Sequence, residues 1–302
     1  MAVSVRFVAL LGCVVFVVIA WCLRDTFDSG VLEGKKVLIT GGSSGIGEEL
    51  AIQYCKFGAT VILIARREQQ LQRVVSKCNK IKANQAVYIV ADLSSLEEAK
   101  KVHSKTLELV SNIDILILNH VAQFSKNWVI NNDLSKVPGH FAVNTISYIN
   151  LATLFLPQLK KSNGSIIVVS SLAGTTGFAK ETCYSATKHA LHGFFNSLRQ
   201  DLILSGHNKI SITMCVLGPI DTPGKNHFKN HEKMYWYPAN ECALAIVKGG
   251  ALKLRQMYYP YMLMKFSEFG FFYFPELFET IAQVYTYDIS LPSAMYRYFR
   301  LT

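Results

Sequence analysis

The chain passes from an apolar run, Lys36-Val37-Leu38-Ile39-Thr40, straight into Gly41-Gly42-Ser43-Ser44-Gly45-Ile46-Gly47, and from there into a helical pattern that continues to Phe57. That order constrains the fold more than any other feature. Glycines permit the tight turn and let a backbone come close to a pyrophosphate, which settles at the N-terminus of the following helix. A glycine-rich turn by itself can be purely structural. Here it lies between a strand and a helix, the setting in which Gly41, Ser43, Ser44, Gly45, Ile46 and Gly47 read as a phosphate cradle.

The chain then alternates. Thr60-Val61-Ile62-Leu63-Ile64-Ala65 reads as a second strand, and Ala86–Ala91, Ile113–Leu118, Ile166–Val169 and Ile210–Leu217 as four more. Helical patterns separate them: one from near Ser95, one through Phe141, Asn144, Tyr148 and Leu151, and one from Tyr184 to Leu204. Ala239–Lys248 and Met257-Tyr258-Tyr259 add a last helix and strand. Alternation of this kind predicts an α/β fold, a Rossmann-type doubly wound parallel sheet of about seven strands with helices on both faces. The second strand ends in Arg66-Arg67, where an NAD site places a carboxylate for the ribose hydroxyls. Two guanidinium groups suit a 2′-phosphate instead, so NADP(H) is the expected cofactor; a solvated basic strand end is the alternative. At the next strand end, Asp92-Leu93 offers an acceptor for an adenine amino group or a cap for the helix after it.

The chemistry is expected at Ser171 and at Tyr184-Ser185-Ala186-Thr187-Lys188. Tyr184 and Lys188 are four apart and share a helix face, where a lysine would favour the phenolate and lower the phenol's pKa. Such a phenol exchanges a proton with a carbonyl or an alcohol. Ser171 follows a buried-type strand, at the end where an open α/β sheet presents its chemistry. An ordinary amphipathic pair is the plainer reading of Tyr184 and Lys188 taken alone.

Half the residues are hydrophobic and the net charge is +10. A basic surface can serve nucleic acid, anionic lipid or an anionic cofactor. No dense Lys/Arg block with interleaved aromatics and no zinc-finger spacing occurs, so no nucleic-acid partner is expected. The scattered cysteines read as buried free thiols. Phe7–Leu23 is an unbroken apolar run between Arg6 and Arg24, at the lower length limit for a single membrane-spanning helix. A cleaved signal peptide is the rival, but its small-residue cleavage site is poorly formed. Residues 1–28 are therefore read as anchor and linker and 29–302 as the catalytic domain. Asp25 and Asp28 offset Arg24, which places the amino terminus in the cytosol and the body in the lumen; the sequon Asn163-Gly164-Ser165 accords with that. His227 and His231 lie four apart in a long polar and aromatic loop without a third ligand, and no metal is expected. The tail from Tyr261 to Tyr287 is crowded with aromatics, including Phe266, Phe269, Phe271, Phe272 and Phe274. It reads as a core helix, an apolar substrate mouth, a homodimer contact or a membrane-facing patch.

With these residues in order (Thr40 to Gly47, Asp92, Asn119, Asn144, Ser171, Tyr184 and Lys188) the chain resembles the classical short-chain dehydrogenase/reductase family from about Lys35 to Tyr259. Within it the chain looks most like the membrane-anchored 11β-hydroxysteroid dehydrogenase type 1 and type 1-like group, through Leu116-Ile117-Leu118-Asn119-His120, Val168-Val169-Ser170-Ser171-Leu172-Ala173-Gly174 and Cys215-Val216-Leu217-Gly218. The resemblance implies an NADP(H)-dependent oxidoreductase of a small hydrophobic alcohol or ketone, a steroid first and a retinoid or long-chain keto lipid second, in the endoplasmic reticulum membrane with a luminal body. A membrane-tethered binding protein without catalysis is the alternative from another class. The roles it implies are Tyr184 as acid and base, Lys188 on the nicotinamide ribose and Ser171 on the substrate oxygen. Asn144 would hold a water that relays protons to Lys188. Asp92 and Leu93 would lie at the adenine, Asn119 near its ribose, and Ile220 and Thr222 at the carboxamide. Phe178 and Leu217 would line the substrate pocket. His120, Leu217 and Phe178 depart from the wider family's usual residues or from the type 1 pocket, which leaves the glucocorticoid itself an open substrate.

Overall fold

The computed structural model describes residues 27–82, 85–122, 128–130, 133–224 and 235–287. The apolar run Phe7–Leu23 and the pair His227 and His231 lie outside them. Among the described residues no helix is long and apolar enough to cross a membrane.

Seven strands form one parallel sheet. They are β1 (Lys36–Thr40), β2 (Thr60–Ala65), β3 (Ala86–Val90), β4 (Ile115–Leu118), β5 (Ser165–Val169), β6 (Ser211–Leu217) and, at the far edge, the short strand Gln256–Tyr259. Two further short strands, β7 (Ile220–Asp221) and β8 (Tyr237–Pro238), pair with each other outside that sheet, so the edge strand is β9. The order is β3-β2-β1-β4-β5-β6-β9. The winding reverses between β1 and β4, and the crevice beyond the carboxyl ends at such a reversal is where open α/β sheets bind ligands.

The helices are α1 (Gly45–Lys56), α2 (Glu68–Ile81), α3 (Leu96–Val110), a short α4 (Val137–Phe141), α5 (Ser147–Ser162), α6 (Thr182–Leu204) and α7 (Ala239–Ala251), followed by α8 (Tyr261–Tyr273) and α9 (Pro275–Tyr287). Strand side chains alternate between faces. In β1, Val37 and Ile39 join one apolar cluster with Leu50 and Tyr54 of α1, Leu71 and Val74 of α2, and Ile246 and Val247 of α7. Leu38 points the other way, to Val102 of α3, Leu151 and Phe155 of α5, and Leu191 and Phe195 of α6. With both faces covered, the strands read as continuous apolar runs. Truncating a ring such as Phe155 or Phe195 to alanine costs about 3–5 kcal/mol in a core of this kind.

Three details differ from the sequence reading. The helix expected through Asn144 is interrupted by a π turn, Ala142–Ile146, between α4 and α5. Asp92 does not cap the helix after β3: Ser95 does, accepting from the Glu98 amide at 3.2 Å, while Asp92 accepts from the Ser94 amide in a local turn. The aromatic tail is a helical hairpin. Gly270 of α8 lets the Phe278 ring of α9 sit so close that an added Cβ would overlap it.

Candidate active site

The glycine turn is built for close approach. Gly41 and Gly45 adopt left-handed backbones at φ 68° and 58°. A side chain at Gly47 would overlap the Gly41 carbonyl oxygen, so α1 can start this close to β1 only with glycine there. Ser44 occupies the N-cap position of α1 but its hydroxyl does not cap the helix. It accepts instead from Arg67 Nη2 at 2.6 Å, and Ser43 Oγ accepts from the same nitrogen at 3.0 Å. The first amides of α1 are thus left without a side-chain cap, and a guanidinium with two hydroxyls stands beside them. That is the donor set a phosphate requires. Arg66 is directed elsewhere, to Asp92, with Nη1 3.9 Å from Oδ2. The two arginines therefore differ in placement, and Arg67 is the one on the glycine turn.

The far wall of this crevice comes from β4 and from the strand after β6. Asn119 Nδ2 donates to the Thr40 carbonyl at 3.0 Å, tying the end of β4 to the start of the glycine turn. Thr222, just after β7, lies against Gly45, where an added Cβ would come within 3.1 Å of it. Ile220 and Leu93 are buried. His120, next to Asn119, is half-buried and neutral. Its Nδ1 lies 2.8 Å from Thr40 Oγ1 and its Nε2 2.6 Å from Ser147 Oγ, and burial pushes its pKa down to about 3. Thr40 and Ser147 belong to this network although sequence reasoning does not single them out; a hydroxyl at the end of β1 is the only sequence signal for the first.

Ser171, Tyr184 and Lys188 come together beside it. Ser171 heads a single 3₁₀ turn, Leu172–Gly174, and its hydroxyl accepts from the Ala173 amide at 3.2 Å. It also acts on the Tyr184 phenol, favouring the phenolate. Lys188 is buried, its Nζ 5.7 Å from the centre of the Tyr184 ring and 5.4 Å from that of Tyr148. Its ammonium donates to the Val169 carbonyl at 2.9 Å. Burial dominates the electrostatics at this point. It pushes Lys188 down to about 7 and raises the Tyr184 phenol well above its ordinary value; Glu181 adds to the rise and Ser171 opposes it. The expectation that Lys188 would lower the tyrosine's pKa is therefore corrected for the protein alone. A lysine at about 7 is only half protonated at neutral pH, and the phenol is desolvated with it.

Asn144 sits in the π turn, fully buried. Its side chain is spent on the backbone of Ala122: Oδ1 accepts from the amide at 2.7 Å and Nδ2 donates to the carbonyl at 2.9 Å. Thr145 Oγ1 donates to the Thr187 carbonyl at 3.1 Å, so the π turn is fastened to α6 between Tyr184 and Lys188.

An apolar cluster adjoins these groups through Leu172, the residue after Ser171. Leu172, Val216, Tyr258 and Met264 form a buried cluster, with Phe178 packed on it and Phe271 5.6 Å from Phe178, edge to face. Leu217, expected at the substrate, faces the other way and packs with Val169 and Ile220 in the core beneath. Strand alternation puts its neighbour Val216 in the apolar cluster with Leu172 and Met264 instead. Met264 and Phe271 bring α8 into the site. Gly218 makes room for it, since a Cβ there would lie 2.8 Å from the Met264 methyl.

Comparison with known proteins follows the same lines. The family model for short chain dehydrogenase matches residues 35–233. The chain is 43% identical over 246 residues to the hydroxysteroid 11-beta-dehydrogenase 1-like protein of Xenopus tropicalis, covering 81% of this chain and 85% of that one. It is 44% identical over 249 residues to the protein of that name from Gallus gallus, covering 82% and 86%. Among solved structures, the alcohol dehydrogenase from the archaeon Thermococcus sibiricus complexed with 5-hydroxy-NADP superposes with a TM-score of 0.65 at 22% identity, over 75% of this chain and 96% of that one. The Pseudomonas aeruginosa RhlG/NADP active-site complex gives 0.67 at 23%, over 74% and 92%. Fold, matched residues and relatives agree, and the chain belongs to the short-chain dehydrogenase family of oxidoreductases.

Proposed function

We propose that the protein interconverts a hydroxyl and a ketone on a hydrophobic substrate, a steroid in the first instance, using NADP(H). The observation that carries this reading is the convergence of Ser171, Tyr184 and Lys188 beside an apolar cluster of Leu172, Val216, Tyr258 and Met264, on which Phe178 packs. The names of the relatives support a steroid, and the apolar cluster beside Ser171 supports a hydrophobic ketone more generally.

The residues fit the cofactor. Gly41, Gly45 and Gly47 open the crevice to a pyrophosphate, and the uncapped start of α1 offers it amides. Arg67, Ser43 and Ser44 suit a 2′-phosphate, with Arg66 and Asp92 beside them. When bound there, NADPH would be the source of the hydride that reduces a carbonyl carbon. Ser171 then holds the carbonyl oxygen, and the Tyr184 phenol, protonated at neutral pH, delivers its proton to that oxygen as negative charge builds on it. Lys188 fastens α6 to the end of β5 through Val169 and keeps the phenol aimed. In the oxidative direction the same phenol accepts the proton.

We also place the catalytic body on the luminal side of the endoplasmic reticulum membrane, anchored by Phe7–Leu23. Exposed apolar side chains of α8 and α9, among them Met262, Phe266, Phe272 and Leu277, support a bilayer close to the apolar cluster beside Ser171.

The test is a panel of steroid, retinoid and long-chain ketones with purified full-length protein and NADPH. Tyr184→Phe lowers turnover of the best substrate by about 10²–10⁴ while NADPH still binds. Undiminished turnover in that variant overturns the mechanism. If no ketone or alcohol reacts despite bound cofactor, a binding role replaces the enzymatic one. A retinoid or keto lipid far better than any steroid moves the substrate class.

A further inference from the structure

Ser170 and His192 form a pair that the proton chemistry does not use. His192 lies on α6 four residues beyond Lys188 and eight beyond Tyr184, on the same face of the helix. Its Nε2 is 2.9 Å from Ser170 Oγ. Ser170 is buried, and its amide donates to the Cys215 carbonyl of β6 at 2.9 Å. Gly174 closes the pocket around them: a Cβ there would lie 2.8 Å from His192 Nε2 and 2.8 Å from Ser170 Oγ.

The segment Val169-Ser170-Ser171 is thus gripped from three sides. Lys188 Nζ holds the Val169 carbonyl, Cys215 holds the Ser170 amide and His192 holds the Ser170 hydroxyl. Successive side chains in an extended segment point to opposite sides. Fixing the direction of Ser170 therefore fixes that of Ser171. The 3₁₀ turn that starts at Ser171 is seated on the same point, with the Ala173 amide on Ser171 Oγ and the Gly174 amide on the Ser171 carbonyl at 2.9 Å.

We propose that His192 is a positioning residue: through Ser170 Oγ it locks the exit of β5 and sets the direction in which Ser171 presents its hydroxyl to Tyr184 and the substrate oxygen. The imidazole suits the task. Burial lowers its pKa to about 4, with His189 and Lys188 adding to the fall and Glu268 of α8 opposing it. It stays neutral at ordinary pH, and either tautomer can share one hydrogen with the serine. As a charged ring it would stand close to Lys188, whose protonated form it would oppose.

The inference rests on the reading of Ser171 and Tyr184 as the reacting pair, so its test has one arm that needs no turnover. In the full-length protein, hydrogen exchange at the Ala173 and Gly174 amides reports how firmly Ser171 is seated. His192→Ala and Ser170→Ala are expected to speed exchange there by about tenfold or more, with β4 and α5 unchanged, and His192→Gln, which can still reach Ser170, to restore much of the protection. In the turnover arm, each alanine variant lowers kcat for the best ketone by about 10–100-fold, the cost of a small misplacement, with the NADPH Kd unchanged. The double variant is no worse than the poorer single one, because both remove the same bond. Wild-type exchange at Ala173 and Gly174 in Ser170→Ala, or losses that add in the double variant, overturn the proposal. Should His192→Ala fail to fold, the Ser170→Ala and His192→Gln arms decide. If the wild type turns over no ketone, the functional reading falls and the exchange arm judges the clamp alone.

Discussion

At the level of single residues the site is governed by desolvation. Lys188 is buried with a hydrogen bond to Val169, and burial drops its folded pKa to about 7, far below that of an exposed lysine. The consequence for stability has a definite sign. Below pH 7 the amine is protonated in both the folded and the unfolded chain, and the full cost of burying it is present. Between about 7 and 10.4 the unfolded chain keeps the proton that the folded chain has lost, so stability rises with pH across that window. Lys188→Met removes the titrating group. Its denaturant midpoint should therefore lack the rise between pH 7 and 10 that the wild type shows, whatever its absolute stability after losing the bond to Val169. Parallel midpoint-against-pH curves for the two proteins would show that Lys188 is solvated in the free protein. A solvated Lys188 would in turn leave the raised pKa of Tyr184 without its cause, since the two groups share one desolvated pocket.

At the level of elements, the alternation of apolar runs and helical patterns is enough to place the sheet, because a strand covered on both faces announces itself as an unbroken run of Val, Ile and Leu. Ser171, Tyr184 and Lys188 are legible for a related reason: two lie one turn apart on a helix and the third at a strand end. What is not legible depends on contacts between residues distant in sequence. The choice of Arg67 over Arg66 for the glycine turn follows from where β2 ends relative to Ser43 and Ser44. The family resemblance puts Leu217 at the substrate, although alternation along β6 turns its side chain inward. The π turn at Asn144 has no pattern of its own, and the grip of His192 on Ser170 spans β5 and α6. The tail is the strongest case, since its composition allows four readings. In the fold, α8 is tied to the sheet edge by Glu268, which accepts from the Tyr258 hydroxyl at 2.6 Å and from Gln256 at 3.3 Å, and α9 packs on α8 through Gly270. Gly270→Ala should therefore part the hairpin at a cost of about 1–3 kcal/mol, the usual range for overpacking, with faster proteolysis confined to 261–287. Gly193→Ala makes the opposite comparison. It is exposed within α6 with open space around it, so alanine there should stabilise by about 0.5–1 kcal/mol and leave the tail's cleavage rate alone. Equal cleavage of the tail in Gly270→Ala and wild type would mean that α9 does not depend on this contact.

At the scale of the whole molecule, the proposed luminal placement of the body can be tested, and Asn163 supplies the test. Asn163 ends α5 in a left-handed conformation at φ 49°, and its side chain is exposed. Gly164 has no room for a side chain beneath the Asp114 carbonyl, and Ser165 is buried at the start of β5, its hydroxyl bonded to Ser211 at 2.8 Å. An enzyme that must recognise the serine as well as the asparagine cannot reach both in the folded protein. Glycosylation at this site therefore belongs to the emerging chain, before β5 pairs with β6, and it occurs only if that chain enters the lumen. The full-length protein expressed in animal cells should carry one glycan, seen as a mobility shift that endoglycosidase removes. Asn163→Gln abolishes the shift but places glutamine in a backbone conformation that asparagine tolerates better. Ser165→Ala is the cleaner partner, because it leaves the turn intact and loses only the bond to Ser211. A wild-type chain without the shift calls for a control sequon fused beyond Thr302, which separates poor use of Asn163 from a cytosolic body. The control modified means a luminal body with Asn163 skipped. The control unmodified places the body in the cytosol and overturns the orientation argued from Arg6, Arg24, Asp25 and Asp28.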